Sequence, residues 1–254
     1  MPVKPIFNRH GNKYTKRALI TSLIPTHEVY IEPFCGSCAI FLNKSSVKVN
    51  ILSDLDPILI KHYHLLNEAS DDLSLYPSIA TMEDIKQWFS EHVDRTDLTI
   101  EEQLTLYKIV ISTGFQNTLV RFEKNIFRRN NPYITLKHIE KYKDMFSKAT
   151  FHNEDYLTII KEYDGVDSFF FLDPPYEKTI IKKQNYAVGS DRFDYNILNT
   201  TLLNLKGKFL LTLNDSENIR KIFSTFFMKE VDCVSNGRVN SIRKEVYITN
   251  YSLF

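Results

Sequence analysis

An acid, two prolines and an aromatic follow one another at Asp173-Pro174-Pro175-Tyr176, directly after the apolar run Phe169-Phe170-Phe171-Leu172. Prolines fix φ and lack an N–H, so the backbone carbonyls here and the Asp173 carboxylate form a rigid set of acceptors beside an aromatic face. Such a set suits a planar group that carries an N–H₂ donor. A plain turn, with Asp173 as a cap and Tyr176 as packing, is the simpler account, and other stretches weigh against it. Glu32-Pro33-Phe34-Cys35-Gly36-Ser37-Cys38 puts a small-residue turn after apolar Val29-Tyr30-Ile31, where a ligand can approach the backbone. Asp54 follows that turn by about twenty residues, the spacing at which an acid commonly accepts hydrogen bonds from the two hydroxyls of a ribose. Lys13, in Asn8-Arg9-His10-Gly11-Asn12-Lys13-Tyr14, sits at an expected helix start, where its charge opposes the helix dipole and suits an anionic ligand.

These residues need a sheet whose carboxyl edge gathers them. The unbroken run Ser168–Leu172 fits a strand buried on both faces, stopped at Asp173 by the prolines. Val29–Leu42 reads as a strand, a tight turn at Gly36 and a helix, Val47–Asp54 and Lys208–Leu213 as strands, and Thr150–Tyr156 as a short strand and a turn. Phe226–Val234 and Lys244–Tyr251 alternate as an antiparallel terminal pair about the turn Asn236-Gly237. Helices are expected up to Pro25, directly after Gly36, at 57–68 with Asp56 as its cap, at 156–163, at 196–205 and at 216–225. On the helix at 57–68, Ile58, Leu59, Tyr63 and Leu66 share one face. The fold class is α/β with a nucleotide-binding, Rossmann-like sheet.

Residues 70–148 contain no obvious strand and read as an inserted helical subdomain, which leaves 1–69 and 149–254 as the sheet-bearing domain. Net charge is only +1, but it is segregated. Residues 1–27 hold five bases and no acid. Residues 67–102 hold ten acids against two bases, and 121–148 hold eight bases against three acids. One face for a polyanion and another turned away is the expected arrangement. Gly114–Phe122 gathers Gln116, Asn117, Leu119 and Arg121, amide and basic groups that read base edges together with an apolar wedge. Arg128, Arg129 and Asn130 follow, and Lys178 lies in a loop at 177–192 that reads as a cationic lid.

With 43% hydrophobic and 25% charged residues the composition is that of a globular protein. No apolar run reaches membrane-spanning length and no signal-peptide core is present, so a cytoplasmic protein is expected. Three cysteines argue against a disulfide framework. Cys35 and Cys38 form a C-x-x-C pair with no second pair to complete a zinc site, so a metal is not expected. The missing G-x-G-x-x-G argues against a dinucleotide.

The combination resembles the Dam-like DNA adenine-N6 methyltransferases (D12 class, alpha group), which include bacteriophage members. It is carried by Gly11-Asn12-Lys13, Glu32-Pro33-Phe34-Cys35-Gly36, Asp54, Asp173-Pro174-Pro175-Tyr176, the inserted subdomain and the closing Glu245-Val246-Tyr247-Ile248. The chain departs from the pattern at Cys38, where many relatives have glycine, and at Arg9-His10, where an aromatic is usual.

The resemblance implies a class I S-adenosylmethionine-dependent fold. Asp173, Pro174, Pro175 and Tyr176 would be catalytic. Gly11, Lys13, Glu32, Phe34, Cys35, Gly36, Asp54, Asp155, Tyr156 and Asp173 would hold S-adenosylmethionine, with S-adenosylhomocysteine as product. Arg9, Gln116, Asn117, Leu119, Arg121, Arg128, Arg129 and Lys178 would meet double-stranded DNA. The target would be N6 of a flipped adenine, with GATC as the family-based site. The chain would act as a monomer or weak dimer with no obligate protein partner, in the host cytoplasm if phage-encoded. Three other readings stand beside it: a methyltransferase for RNA adenine or cytosine N4, an inactive DNA-binding module, and a NAD-type oxidoreductase.

Overall fold

The computed structural model describes residues 2–6, 11–75, 79, 81–113, 139–177, 193–234 and 242–253. A seven-stranded mixed sheet runs through it. The strands are β1 (Val29–Glu32), β2 (Val49–Ser53), β3 (Thr150–His152), β4 (Ser168–Leu172), β5 (Lys208–Asn214), β6 (Phe227–Val234) and β7 (Ile242–Thr249). Their order is β3-β2-β1-β4-β5-β7-β6. Strands β1, β2, β4 and β5 are parallel, and β7 is antiparallel to both β5 and β6. The order reverses between β1 and β4. In an open α/β sheet, ligands bind outside the carboxyl ends of the strands at that point. This is the Rossmann-like sheet expected from the sequence.

By internal contacts the chain divides into two compact units. One comprises Ala18–Cys35, Ser45–Leu55 and Glu154–Phe254. Its central strand β4 is buried at every position, as its unbroken apolar run requires. Ile31, Ile51, Phe170, Leu172, Phe209, Leu211, Leu213, Val246 and Ile248 share a core with Ile159 and Ile160 of α6 (Tyr156–Tyr163), Leu198 and Leu202 of α7 (Tyr195–Leu203) and Ile219 of α8 (Glu217–Ile222). The pleat sends the alternate residues to the other face, among them Tyr30, Phe169, Phe171, Leu210, Thr212 and Tyr247. Helix α1 (Arg17–Leu23) ends before Pro25, and its last carbonyl, of Leu23, accepts from the Tyr251 hydroxyl at 3.0 Å.

The other unit comprises Met1–Arg17, Gly36–Lys44 and Asp56–Asn153. Its described helices are α2 (Pro57–Glu68), α3 (Met82–His92), α4 (Ile100–Thr113) and α5 (Ile139–Phe146). Among the described residues of 70–148 there is no strand. Asp56 caps α2 as expected, accepting from the Ile58 and Leu59 N–H groups, and Thr81 and Asp84 form a capping box on α3. Leu59, Tyr63 and Leu66 are buried, while Ile58 is half-buried against a second cluster of Ile79, Ile85, Phe89, Leu106 and Ile109. Tyr63 and Phe151 stack, Phe146 packs on both, and Phe41 lies against Phe146.

One expected element is absent. No α-helix follows Gly36; turns lead instead to a short 3₁₀ helix, Phe41–Asn43. Gly36 has φ 45° and Cys38 has φ 54°, and a right-handed helix cannot start through two left-handed residues. The Tyr63 hydroxyl anchors the turn by donating to the Gly36 carbonyl at 2.6 Å.

Candidate active site

Three carboxylates stand at the carboxyl ends of parallel strands of the sheet unit. Glu32 is the last residue of β1, Asp54 follows β2 and Asp173 follows β4. Glu32 is only 2% exposed and accepts from the Tyr30 hydroxyl at 2.8 Å, an interaction that helps offset burial of the acid. Beyond β1 the chain is tied to β2 by a bond from the Cys35 N–H to the Ser53 carbonyl, 2.8 Å. The Ser53 hydroxyl donates to the Glu154 carbonyl at 2.9 Å, which draws the start of α6 to the end of β2.

Asp155 caps α6, accepting from the Leu157 N–H at 2.8 Å. Tyr156 is buried and forms an aromatic wall with Phe34 and Phe193; the three ring centroids are 5.3–5.8 Å apart. Burial, with Asp155 and Asp194 nearby, pushes the Tyr156 phenol up to about 12.

At the end of β4 the acceptors are fixed one by one. Thr212 of β5, fully buried, donates its hydroxyl proton to Asp173 Oδ1 at 2.7 Å. Tyr195, at the start of α7, donates to the Pro175 carbonyl at 2.6 Å. Among the described residues nothing hydrogen-bonds the Pro174 carbonyl. The Tyr176 ring is partly exposed and its hydroxyl is buried. Desolvation first, and then the Asp173 and Glu245 carboxylates, hold that phenol neutral well above its ordinary range. Tyr176 thus combines a partly exposed ring with a buried, neutral hydroxyl. Glu177, next in the chain, accepts from Ser216 and from Asn218, both at 2.6 Å.

Lys13, Gly11 and Gly36 belong to the helical unit. Lys13 precedes a 3₁₀ turn, Tyr14–Lys16, rather than the first turn of α1. Its ammonium group is turned back to the Gly11 carbonyl at 3.0 Å and the residue is 6% exposed. A groove of about 540 Å³ in this unit, lined in part by Lys61, His64, Glu68 and Gln103, includes none of the residues singled out from sequence. Arg9, Gln116, Asn117, Leu119, Arg121, Arg128, Arg129 and Lys178 lie outside the described residues, as does the Asn236-Gly237 turn. Among the described residues no cluster of His, Cys, Asp or Glu could hold a metal ion, and no helix is long and apolar enough to cross a membrane.

Residues 10–236 match the family described as D12 class N6 adenine-specific DNA methyltransferase. The chain belongs to that family. It is a DNA adenine methyltransferase. Among curated proteins it is similar to the type II methyltransferase M.CviBI of Paramecium bursaria Chlorella virus NC1A, at 22% identity over 91% of this chain and 90% of that one. Solved structures that resemble it include precorrin 8w decarboxylase of Methanobacterium thermoautotrophicum, with 10% identity, a TM-score of 0.44 and coverage of 98% of this chain and 100% of that one. Another is an rRNA methylase of Streptococcus thermophilus, with 7% identity, a TM-score of 0.36 and coverage of 98% and 97%.

Sequence reading of the methyltransferase missed the residues that hold the motif in place. Thr212 stands inside Phe209-Leu210-Leu211-Thr212-Leu213, and a lone hydroxyl in a buried strand is the signal that could have found it. Tyr195 and Phe193 follow the loop read as a lid, and nothing local to them announces a role.

Proposed function

We propose that this methyltransferase transfers a methyl group from S-adenosylmethionine to N6 of an adenine swung out of duplex DNA, with Asp173–Tyr176 forming the base pocket. The observation that carries the reading is the acceptor pair at the end of β4. Asp173 is pinned by Thr212, the Pro174 carbonyl has no hydrogen-bond partner among the described residues, and Tyr176 follows directly in the chain. An exocyclic amine has two N–H donors, one for each acceptor. Adenine N6 lies inside the base stack, so the nucleotide must leave the duplex to be methylated there.

The residues present suit S-adenosylmethionine. Asp54 would take the ribose hydroxyls and the wall of Phe34 and Tyr156 the adenine ring. Glu32, Cys35 and Asp155 would line the same pocket, and Gly11, Lys13 and Gly36 are the further cofactor residues that the family resemblance implies. When bound, the cofactor supplies a sulfonium-activated methyl group. What the protein adds is position. Hydrogen bonds from N6 to Asp173 and Pro174 draw the nitrogen lone pair out of conjugation and hold it in line, and Tyr176 keeps the ring flat beneath it. The amine need not be deprotonated first, because its proton becomes acidic once the N–C bond has formed. Asp173 therefore acts as an acceptor and not as a strong base.

Residues 70–148 would serve as the target-recognition part, with Gln116, Asn117, Leu119, Arg121, Arg128 and Arg129 at DNA together with Arg9 and Lys178. GATC is the site the family resemblance favours. The protein is proposed to work as a monomer or weak dimer on double-stranded DNA. The test incubates the protein with adenine-unmethylated DNA and labelled S-adenosylmethionine, digests the product to nucleosides and maps the labelled positions. N6-methyladenine at one short motif is expected. Label on cytosine, or on RNA alone, would overturn the acceptor assignment.

A further inference from the structure

The face of the sheet that carries Thr212 holds a second polar group that the motif does not use. Asn214 ends β5 and is 5% exposed, yet neither atom of its amide has a hydrogen-bond partner among the described residues. Such a group is costly to bury unsatisfied, and native proteins rarely keep one without a use. It lies two residues beyond Thr212 and so on the same face, about 6.7 Å further along the strand. Opposite it across the antiparallel ladder is Glu245, whose Oε2 is also buried and has no hydrogen-bond partner among the described residues. Glu245 in turn lies beside the Tyr176 hydroxyl. Asn214 thus stands at the carboxyl edge of the sheet, on the strand that holds Asp173, with Glu245 between it and the stacking ring.

We propose that Asn214 reads the edge of the target base, an inference that rests on the adenine pocket described above. A carboxylate accepts only, so Glu245 Oε2 selects the amide orientation that turns Nδ2 toward it. With Nδ2 on the Glu245 side and no hydrogen bond made by it among the described residues, an amide hydrogen is left for the base. Beside its amine, adenine presents only acceptors, N1 and N7. A donor there therefore completes the recognition that Asp173 and Pro174 begin. Guanine is refused by its carbonyl, which stands where the two acceptors wait, and a donor facing N1 refuses it a second time through its N1–H. Asn214 is a specificity residue and takes no part in methyl transfer.

The test is a chemical double-mutant cycle. Wild-type protein and Asn214→Leu are compared on duplexes whose target adenine is replaced by 1-deazaadenine or 7-deazaadenine, each lacking one ring nitrogen and keeping N6. Wild type is expected to lose about five- to tenfold in kcat/KM on one of the two, the worth of a neutral hydrogen bond. Asn214→Leu should lose a similar factor on adenine and nothing further on that analogue, with S-adenosylmethionine binding and melting temperature unchanged. Should Asn214→Leu fail to fold, the wild-type arm still decides. Equal rates on adenine and both analogues overturn the inference and leave Asn214 as the ligand of a buried water. Failure of wild type to form N6-methyladenine in ordinary DNA would instead sink the adenine pocket itself.

Discussion

The hydroxyl of Thr212 donates to Asp173 Oδ1 at 2.7 Å, so the acid that ends β4 is held by a side chain from the next strand. β4 and β5 are locked in parallel register up to Leu172 and Leu211, which puts Thr212 beside Asp173. Thr212→Val keeps the shape and removes the donor. It should lower single-turnover methylation about tenfold while DNA and cofactor affinities hold, since a hydrogen bond to a charged group is worth about 1.5–3 kcal/mol. Thr212→Ser should recover most of the rate. Equal rates for the valine and serine variants would remove the positioning role.

Asp173→Ala takes away the acceptor itself. Loss of a preorganised polar contact to the reacting group costs about 10²–10³ in rate. DNA binding by gel shift should stay within a few fold, and substantial remaining methylation would refute the role given to Asp173.

Tyr176 combines a partly exposed ring with a buried hydroxyl. Tyr176→Phe should stay within a few fold of wild type. Tyr176→Ala should lose the stacking, about 1–3 kcal/mol, visible in kcat/KM and in the fluorescence of 2-aminopurine at the target position. The two variants separate ring from hydroxyl, and equal losses would mean that the hydroxyl is what counts.

Gly207, just before β5, leaves no room for a side chain. A Cβ there would lie 2.7 Å from the Ser168 carbonyl oxygen and 3.2 Å from the Phe170 ring. Asp164 also ties the Lys206 and Gly207 N–H groups at 3.0–3.1 Å, so the backbone cannot move aside without losing them. Gly207→Ala should destabilise by about 1–3 kcal/mol in urea unfolding, the usual cost of overpacking. A neutral result would show that β4 and the loop before β5 separate easily.

Tyr156 is pushed up to about 12, and Tyr176 and Tyr251 are also raised, each chiefly by burial. In the unfolded chain these phenols ionise near 10.0, so above that pH the unfolded state binds fewer protons than the folded one. Their contribution to stability is complete below pH 10 and drains away as pH rises toward the folded values. Thermal melts from neutrality to about pH 11 should show a decline that begins near 10, and it should be shallower in Tyr156→Phe. A melting temperature flat across that range would contradict it.

The sheet was legible because its strands are apolar runs with abrupt ends, and Asp173, Asp54 and Glu32 could be set at those ends by counting. The path after Gly36 was not. A small-residue turn before an apolar stretch reads as a helix start, and only the left-handed φ of Cys38 shows why none forms. That same φ accounts for the glycine many relatives have there, since glycine adopts it without a steric cost. Thr212, Tyr195 and Asn214 were invisible for another reason. Strand register sets Thr212 beside Asp173, 39 positions away, and Asn214 opposite Glu245, 31 positions away, while Tyr195 reaches the Pro175 carbonyl, 20 positions away, from the start of α7; no local pattern shows any of these.

The final strand of the sheet takes an interior place, β7 lying between β5 and β6. β6 is made earlier yet has no neighbour until β7 arrives. A nascent chain therefore carries Asp173–Tyr176, complete in sequence, well before it has the wall that Glu245 and Tyr247 build beside Tyr176. A ribosome paused before residue 242 would hold a chain with the motif and no wall beside Tyr176.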